Sequence, residues 1–262
     1  MGILGYMAVL CVGIILAVLG GGGSILTVPI LVYLFKLPAD TSTSYSLFLV
    51  GTSAALGAFR YNKEGLIAYK IGTVFTVPSF LGVFATRKFL MPAIPPTINL
   101  GAIAITKDQL ILLVFAIIML LASISMIRPR KNKDNNEVPK KLNLPIIAIE
   151  GLVVGCITGF VGAGGGFLII PALVILAGLP IRQAIATSLM IIAIKSLLGF
   201  TGDIGNIAID WGFLLTISAI SLVGIAVGGR IAKYIDATNL KPLFGYFVLV
   251  MGIGMILQQM VF

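Results

Sequence analysis

The sequence predicts an all-α integral membrane protein, a polytopic bundle of two inverted repeats, each with a glycine-rich broken or re-entrant hairpin followed by three spans. Three observations carry this prediction. Apolar residues make up 59% of the chain and charged residues only 10%, against roughly 45–50% and 25% in soluble domains. The stretch VGIILAVLGGGGSILTVPILVYLFKLP (Val12 to Pro38) returns as VGCITGFVGAGGGFLIIPALVILAGLP (Val154 to Pro180), displaced by 142 residues. The positive charges, finally, fall so that they orient the two copies oppositely.

The repeat is gapless. From Gly13 to Gly57, 16 of 45 positions match their partners in Gly155 to Gly199. Apolar stretches long enough to cross about 30 Å of hydrocarbon lie at 3–19, 41–59, 71–86, 109–127, 183–199, 212–229 and 243–262. The first has neither a basic leader nor a small-residue cleavage site, so it reads as a retained span and not as a signal peptide. The first repeat then occupies 1–127 and the second 145–262, with a basic linker at 128–144. There is no length left for a separate soluble domain.

Positive charge decides the orientation of the copies. If each glycine cluster merely interrupts one span, the linker side collects nine Lys/Arg and the other side eight. If the glycines reverse the chain, the second copy is inverted and the linker side collects 13. These are Arg60, Lys63, Lys70, six in the linker, Arg182, Arg230, Lys233 and Lys241. Lys36, Arg87, Lys88 and Lys107 remain opposite, and Lys195 lies within a span. Cytoplasmic loops carry the excess of Lys and Arg, so the linker reads as cytoplasmic and the membrane as the plasma membrane. The arms returning from the glycines, Ser24 to Phe35 and Phe167 to Ala177, reach only about 16–18 Å as helices. They read as re-entrant, with their tips near the midplane.

A glycine run at a helix start exposes unpaired backbone N–H groups and the positive end of the helix dipole. Two opposed tips, Gly22, Gly23 and Ser24 against Gly164, Gly165 and Gly166, make a cradle for a small anion. In membrane transporters such broken segments in corresponding positions point to the binding site. The competing reading is helix packing, for which small-xxx-small pairs such as Gly155/Gly159 suffice. The following span carries hydroxyls in both copies: TSTSYS (Thr41 to Ser46) aligns with QAIATS (Gln183 to Ser188). Ser46, Thr187 and Ser188 can donate to a substrate oxygen without burying a charge, or bond back to their own helices. Lys195, in mid-span, supplies fixed positive charge or pairs with Glu150. Arg60 and Asp203, at the ends of the post-hairpin spans, read as interfacial.

Absences narrow the chemistry. With no histidine, imidazole proton relays and a Ser-His protease are excluded. Cys11 and Cys156 form no Cys-x-x-Cys pair, and no phosphate-binding Gly-Lys-Ser/Thr motif occurs, so disulfide exchange and ATP hydrolysis are not expected. The chain reads as a non-enzyme without cofactors. The net charge of +9 sits in loops and not on a stripe with interleaved aromatics, which argues against nucleic acid.

GGGGSILTVP and GAGGGFLIIP, the Leu-Pro that follows each, ATSL at Ala186 to Leu189 and the later GNIAIDW resemble the sulfite exporter TauE/SafE family, over essentially the whole chain. The first copy departs from the pattern, with Tyr45 in place of Thr and YKIG (Tyr69 to Gly72) where the second has IDWG. The resemblance implies a secondary transporter of sulfur-containing anions, sulfite or organosulfonates. The interior-negative potential pushes an anion outward by about 2.3 kcal/mol per charge per 100 mV, which favours export. The expectation is therefore alternating access around a midplane site, with the bilayer, a small anion and a second copy of the chain as partners. A cation or metal carrier and a non-transporting scaffold are the rivals.

Overall fold

The computed structural model describes residues 2–100, 103–127, 143–231 and 237–261; nearly all of the predicted linker at 128–144 lies outside them. In hydrocarbon no water satisfies a peptide group, so a spanning backbone must close its hydrogen bonds on itself. The apolar stretches accordingly form helices. α1 (Gly2–Leu19) runs into a 3₁₀ segment (Gly20–Leu26), a single turn α2 (Thr27–Pro29) and a π turn (Ile30–Leu34). α3 (Ala39–Lys63) and α4 (Tyr69–Ala85) follow; α4 continues through a π turn (Thr86–Leu90) into α5 (Met91–Ala93). α6 (Lys107–Ile127) ends the first copy. The second comprises α7 (Leu144–Val161), α8 (Gly166–Ile175), α9 (Ile181–Phe200), α10 (Trp211–Ile231) and α11 (Ala237–Val261).

Among the described residues, six helical segments are long and apolar enough to cross a membrane: α4 with its extension, α6, α7, α9, α10 and α11. The outward faces are apolar, as lipid requires, with Ile3 at 79% and Val250 at 68% exposure. This is an all-α polytopic membrane protein with one small exception. TINL alternates polar and apolar residues and pairs with IAIT, which does not, as an antiparallel hairpin, β1 (Thr97–Leu100) with β2 (Ile103–Thr106), in register Thr97 to Thr106. A pattern of period two over one strand of four residues was too short to stand out between two spans.

The sequence repeat is also a backbone repeat. Pro38 and Pro180 precede α3 and α9 at φ −54°, ψ 148° and φ −53°, ψ 145°. The Leu37 N–H donates to the Leu31 carbonyl at 3.2 Å, and 142 residues on Leu179 donates to Leu173 at 3.1 Å. Lys36 is the one non-glycine residue with positive φ among the described residues (60°), and its partner position is Gly178 (64°). The turn demands the left-handed region, which glycine enters freely and lysine only at a cost.

The copies interlock. α1 packs along α10 while α7 packs along α4, so each copy's first helix lies on the second helix after the other copy's glycine-rich segment. α3 and α9 pair centrally and antiparallel, since Gly51 faces Leu197 and Gly57 faces Leu189. α9 is the most enclosed of the six spans, with 72% of its window buried. α3 is too polar to count among them. Protein surrounds it, and its Ser42, Thr43, Ser44 and Ser46 are fully buried. The crossings are close because they are glycine on backbone. A Cβ at Gly155 would overlap the Ser79 carbonyl, and one at Gly13 would overlap that of Ser221, its repeat equivalent. Gly155→Ala should therefore lower the melting temperature in detergent, costing about 1–3 kcal/mol as overpacking does. Gly254→Ala, with no neighbour within 4 Å, should leave it unchanged; equal effects would disprove the close crossing.

Candidate functional site

The two glycine tips touch. A Cβ at Gly21 would lie 2.6 Å from the Gly166 Cα, and one at Gly166 would overlap the Gly21 backbone. Contact this close exists only between residues without side chains. The predicted gap between opposed tips is thus closed, and the polar groups lie around the contact. Ile192 of α9 packs against both Gly21 and Gly164, and Val50 of α3 packs against Gly164. Val50 and Ile192 are repeat partners. Positions four before and three after each share its helix face: Ser46 and Ser53 on α3, Ser188 and Lys195 on α9.

Lys195 is completely buried. Its Nζ donates to the Thr158 hydroxyl at 2.6 Å and lies 3.3 Å from where a Gly165 Cβ would stand. Gly165 has φ 74°, so at this point the absence of a side chain brings the ammonium to bare backbone. The two ion pairs among the described residues involve other groups. Glu150 belongs to neither, so the alternative of a Lys195–Glu150 pair is not realised. Sequence reasoning missed Thr158, whose repeat partner is Leu16. The only signal was a joint one: Ser53 and Leu16 in one copy become Lys195 and Thr158 in the other.

The remaining predicted residues divide by what their polar atoms already do. Ser24 donates to the Gly21 carbonyl at 2.7 Å, closing its own turn. Ser188 donates back to Ile185 at 2.8 Å. Gly23 packs on Ile15 and Leu16 of its own copy, and Gly22 has no neighbour nearer than 3.8 Å. Ser46 differs. The second glycine run passes over α3 from Thr43, at Gly162, to Val50, at Gly164. Ser46 lies on that face, fully buried, and its hydroxyl has no hydrogen-bond partner.

Thr187 has a structural task. Its Oγ1 accepts the Ala68 N–H at 3.0 Å, ahead of α4. Tyr45, its repeat partner, accepts the Asp210 N–H at 2.6 Å, ahead of α10. Residues 68 and 210 are also repeat partners, so the two bonds are one bond made twice, each from one copy into the other. Tyr45, where the first copy departs from the pattern, thus meets the IDWG start of α10, and Thr187 meets the altered start of α4.

Asp203 is not interfacial. It is 3% exposed and faces the completely buried Arg87 of the π turn after α4, with Arg87 Nη1 3.4 Å from Asp203 Oδ2. Charge counting had treated Arg87 as a loop residue.

The family described as Sulfite exporter TauE/SafE matches residues 6–255. The chain belongs to this family. A probable membrane transporter protein of Xylella fastidiosa (strain 9a5c) is 25% identical over 251 residues, covering 94% of this chain and 91% of the relative. Probable membrane transporter protein YdhB of Bacillus subtilis is 28% identical over 236 residues, 88% of this chain and 87% of its own. A probable membrane transporter protein of Methanocaldococcus jannaschii reaches 35% over 120 residues, 44% of this chain and 45% of its own. No solved structure matches. TauE/SafE membership and the spanning helices make this a multi-pass membrane transporter.

The crossed hydroxyl bonds are directly testable. Thr187→Val and Tyr45→Phe each leave a helix-start N–H without its acceptor, and each should cost about 1–3 kcal/mol in unfolding stability. Thr187→Ser, which keeps the acceptor, should stay near wild type in the same thermal melt.

Proposed function

We propose that this protein is a secondary transporter that exports small sulfur-containing anions such as sulfite or organosulfonates by alternating access. The observation that carries the anion reading is Lys195: a completely buried ammonium held by one hydroxyl and bare glycine backbone, without a carboxylate partner among the described residues. Burying an unpaired charge is expensive. A bound anion removes that cost, and the empty protein bears it.

In this reading the anion lies beside the tip contact. Lys195 balances its charge and Thr158 orients the ammonium. Gly164, Gly165 and Gly166 present backbone N–H groups, and Ser46 donates its free hydroxyl. Thr187 and Ser188 spend their lone pairs or protons locally and stand at the margin. Gly22, Gly23 and Ser24 form the opposing wall. Moving the anion past this point parts Gly21 from Gly166, the contact that separates the two faces.

The same reading makes residues 1–127 and 145–262 two inverted repeats whose re-entrant hairpins enter from opposite faces. The antiparallel α3/α9 pair, the interlocked α1/α10 and α7/α4 pairs and the touching tips support it. So do Tyr69 and Trp211, half-exposed repeat partners at the starts of α4 and α10, placed as interfacial aromatics are. The 128–144 linker is then cytoplasmic and the membrane the plasma membrane.

Lys195→Met separates the functions of this charge. The variant should melt higher than wild type without ligand, by about 1–3 kcal/mol, because it no longer buries an unpaired ammonium. Wild type should be stabilised by sulfite, thiosulfate or sulfoacetate, by about 2.7 kcal/mol at 100 times Kd, and the variant by none of them. Stabilisation of both proteins by divalent cations alone would establish a cation carrier instead.

A further inference from the structure

Arg87 is a buried guanidinium with almost nothing done for it. It is completely inaccessible, and its Nε, Nη1 and Nη2 make no hydrogen bond; the Asp203 carboxylate stands off at 3.4 Å. A guanidinium carries five N–H donors in a fork that fits oxyanions bidentately. Leaving all five unused at full burial is costly. Ser44 of α3 is likewise buried and faces Asp203 without a hydrogen bond of good geometry. Asp40, at the α3 start, is committed to Lys107 at 2.8 Å.

Both charged groups of the pair sit where the helix is irregular, Arg87 in a π turn and Asp203 in a 3₁₀ turn. Such interruptions recur at functional positions and at hinges. The repeat supplies an independent observation. Arg87 packs over Gly202, whose Cβ position lies 3.1 Å from the Arg87 Cβ. The equivalent place in the other copy holds the same two residue types exchanged: Arg60 lies over Gly229. Each crossing of a post-hairpin span, α3 or α9, with the other copy's next helix, α10 or the extended α4, therefore carries one arginine and one glycine. Arg60 reaches only the Ile225 and Ala226 carbonyls, at 3.5 Å each, is partly exposed and has no ion pair among the described residues. Where Asp203 closes one crossing, Tyr61 stands at the repeat-equivalent position of the other.

We propose that Arg87 and Arg60 are anion stations at the two mouths of the transport path, and that Asp203 is a tethered counter-ion that seals the Arg87 mouth until the transported oxyanion displaces it. The proposal rests on the anion reading above and extends it to residues outside the central site. An oxyanion engages the unused N–H groups bidentately, which the carboxylate at 3.4 Å does not. The exchange leaves Asp203 without its partner and the Arg87 turn free to move with the anion. The structure is then the state closed at Arg87 and open at Arg60.

The test is exchange of ³⁵S-sulfite in proteoliposomes, with melting temperature as the measure of folding. Asp203→Asn removes the competitor and keeps the station, so half-saturation should fall several-fold. Arg87→Gln alone strands a buried carboxylate and can fail to fold. The neutral pair Arg87→Gln/Asp203→Asn avoids this, because replacing both partners of a buried pair is often neutral for stability. The double variant should melt like wild type yet exchange sulfite slower by about tenfold or more, the worth of charge-assisted hydrogen bonds to the anion. A double variant as fast as wild type, alongside an inactive Lys195→Met, overturns the gate and leaves the central anion site standing. A wild type that exchanges neither sulfite, thiosulfate nor sulfoacetate removes the anion reading and the gate together.

Discussion

The contact of Gly21 with Gly166 is the constraint on which the architecture depends. Two backbones meet inside a membrane protein with no side chain between them, and every other feature of the centre is arranged so that they can. The 3₁₀ start of the first arm and the left-handed Gly165 aim the chains at each other. Val50 and Ile192, one from each copy, close the contact from the flanks. α3 and α9 hold those two residues opposite one another, and the glycine-on-backbone crossings of α1 with α10 and α7 with α4 hold the hairpin stems. Methyl groups at these crossings would push the stems apart and, through them, separate the tips.

The polar groups follow a single logic, which is that polarity is tolerated in proportion to enclosure. α3 carries more hydroxyls than a lipid-facing helix can, and it is surrounded by protein. Some of those hydroxyls satisfy themselves on nearby carbonyls, as Ser42, Thr43 and Thr52 do, and so contribute nothing to recognition. Tyr45 and Thr187 lock one copy to the other. Several buried hydroxyls, Ser44, Ser79 and Ser196 among them, lack partners as well; three groups belong to the proposed sites, the Ser46 hydroxyl, the Lys195 ammonium and the Arg87 guanidinium. Each is fully buried with its hydrogen-bonding capacity wholly or largely unspent. In a stable fold such groups are expensive; in the proposed mechanism Ser46 and Lys195 face the central site and Arg87 the outer station.

Much of this was legible in the chain. Hydrophobic length located the predicted spans to within a few residues, because the hydrocarbon thickness leaves little freedom. The gapless repeat located the helix breaks that follow α1 and α7 and singled out Lys195 as the residue that breaks the symmetry with Ser53. What was hidden depended on contacts between segments distant in sequence. Thr158 beside Lys195, Tyr45 reaching Asp210 and Arg87 meeting Asp203 join positions 37, 165 and 116 residues apart, and nothing local to either partner announces the other. Charge counting placed Arg87 in a loop because it stands beside Lys88 near a span end; one turn of π-helix carries it inward instead. The hairpin at 97–106 escaped for the opposite reason, its pattern being too brief to outweigh its surroundings.

The single carboxylate at Asp203 also has a consequence for energetics. Halves related by an exact symmetry would give two end states of equal free energy, populated evenly and opening to either side with the same ease. In the proposed mechanism, Asp203 at one mouth and Tyr61 at the other would break that degeneracy. The resting equilibrium would then favour one conformer, and a cargo arriving from one side would meet a ready receptor while the same cargo from the other must first unlatch its own. Such a difference in well depth would set how readily each side loads, while the membrane potential and the gradients set the net direction.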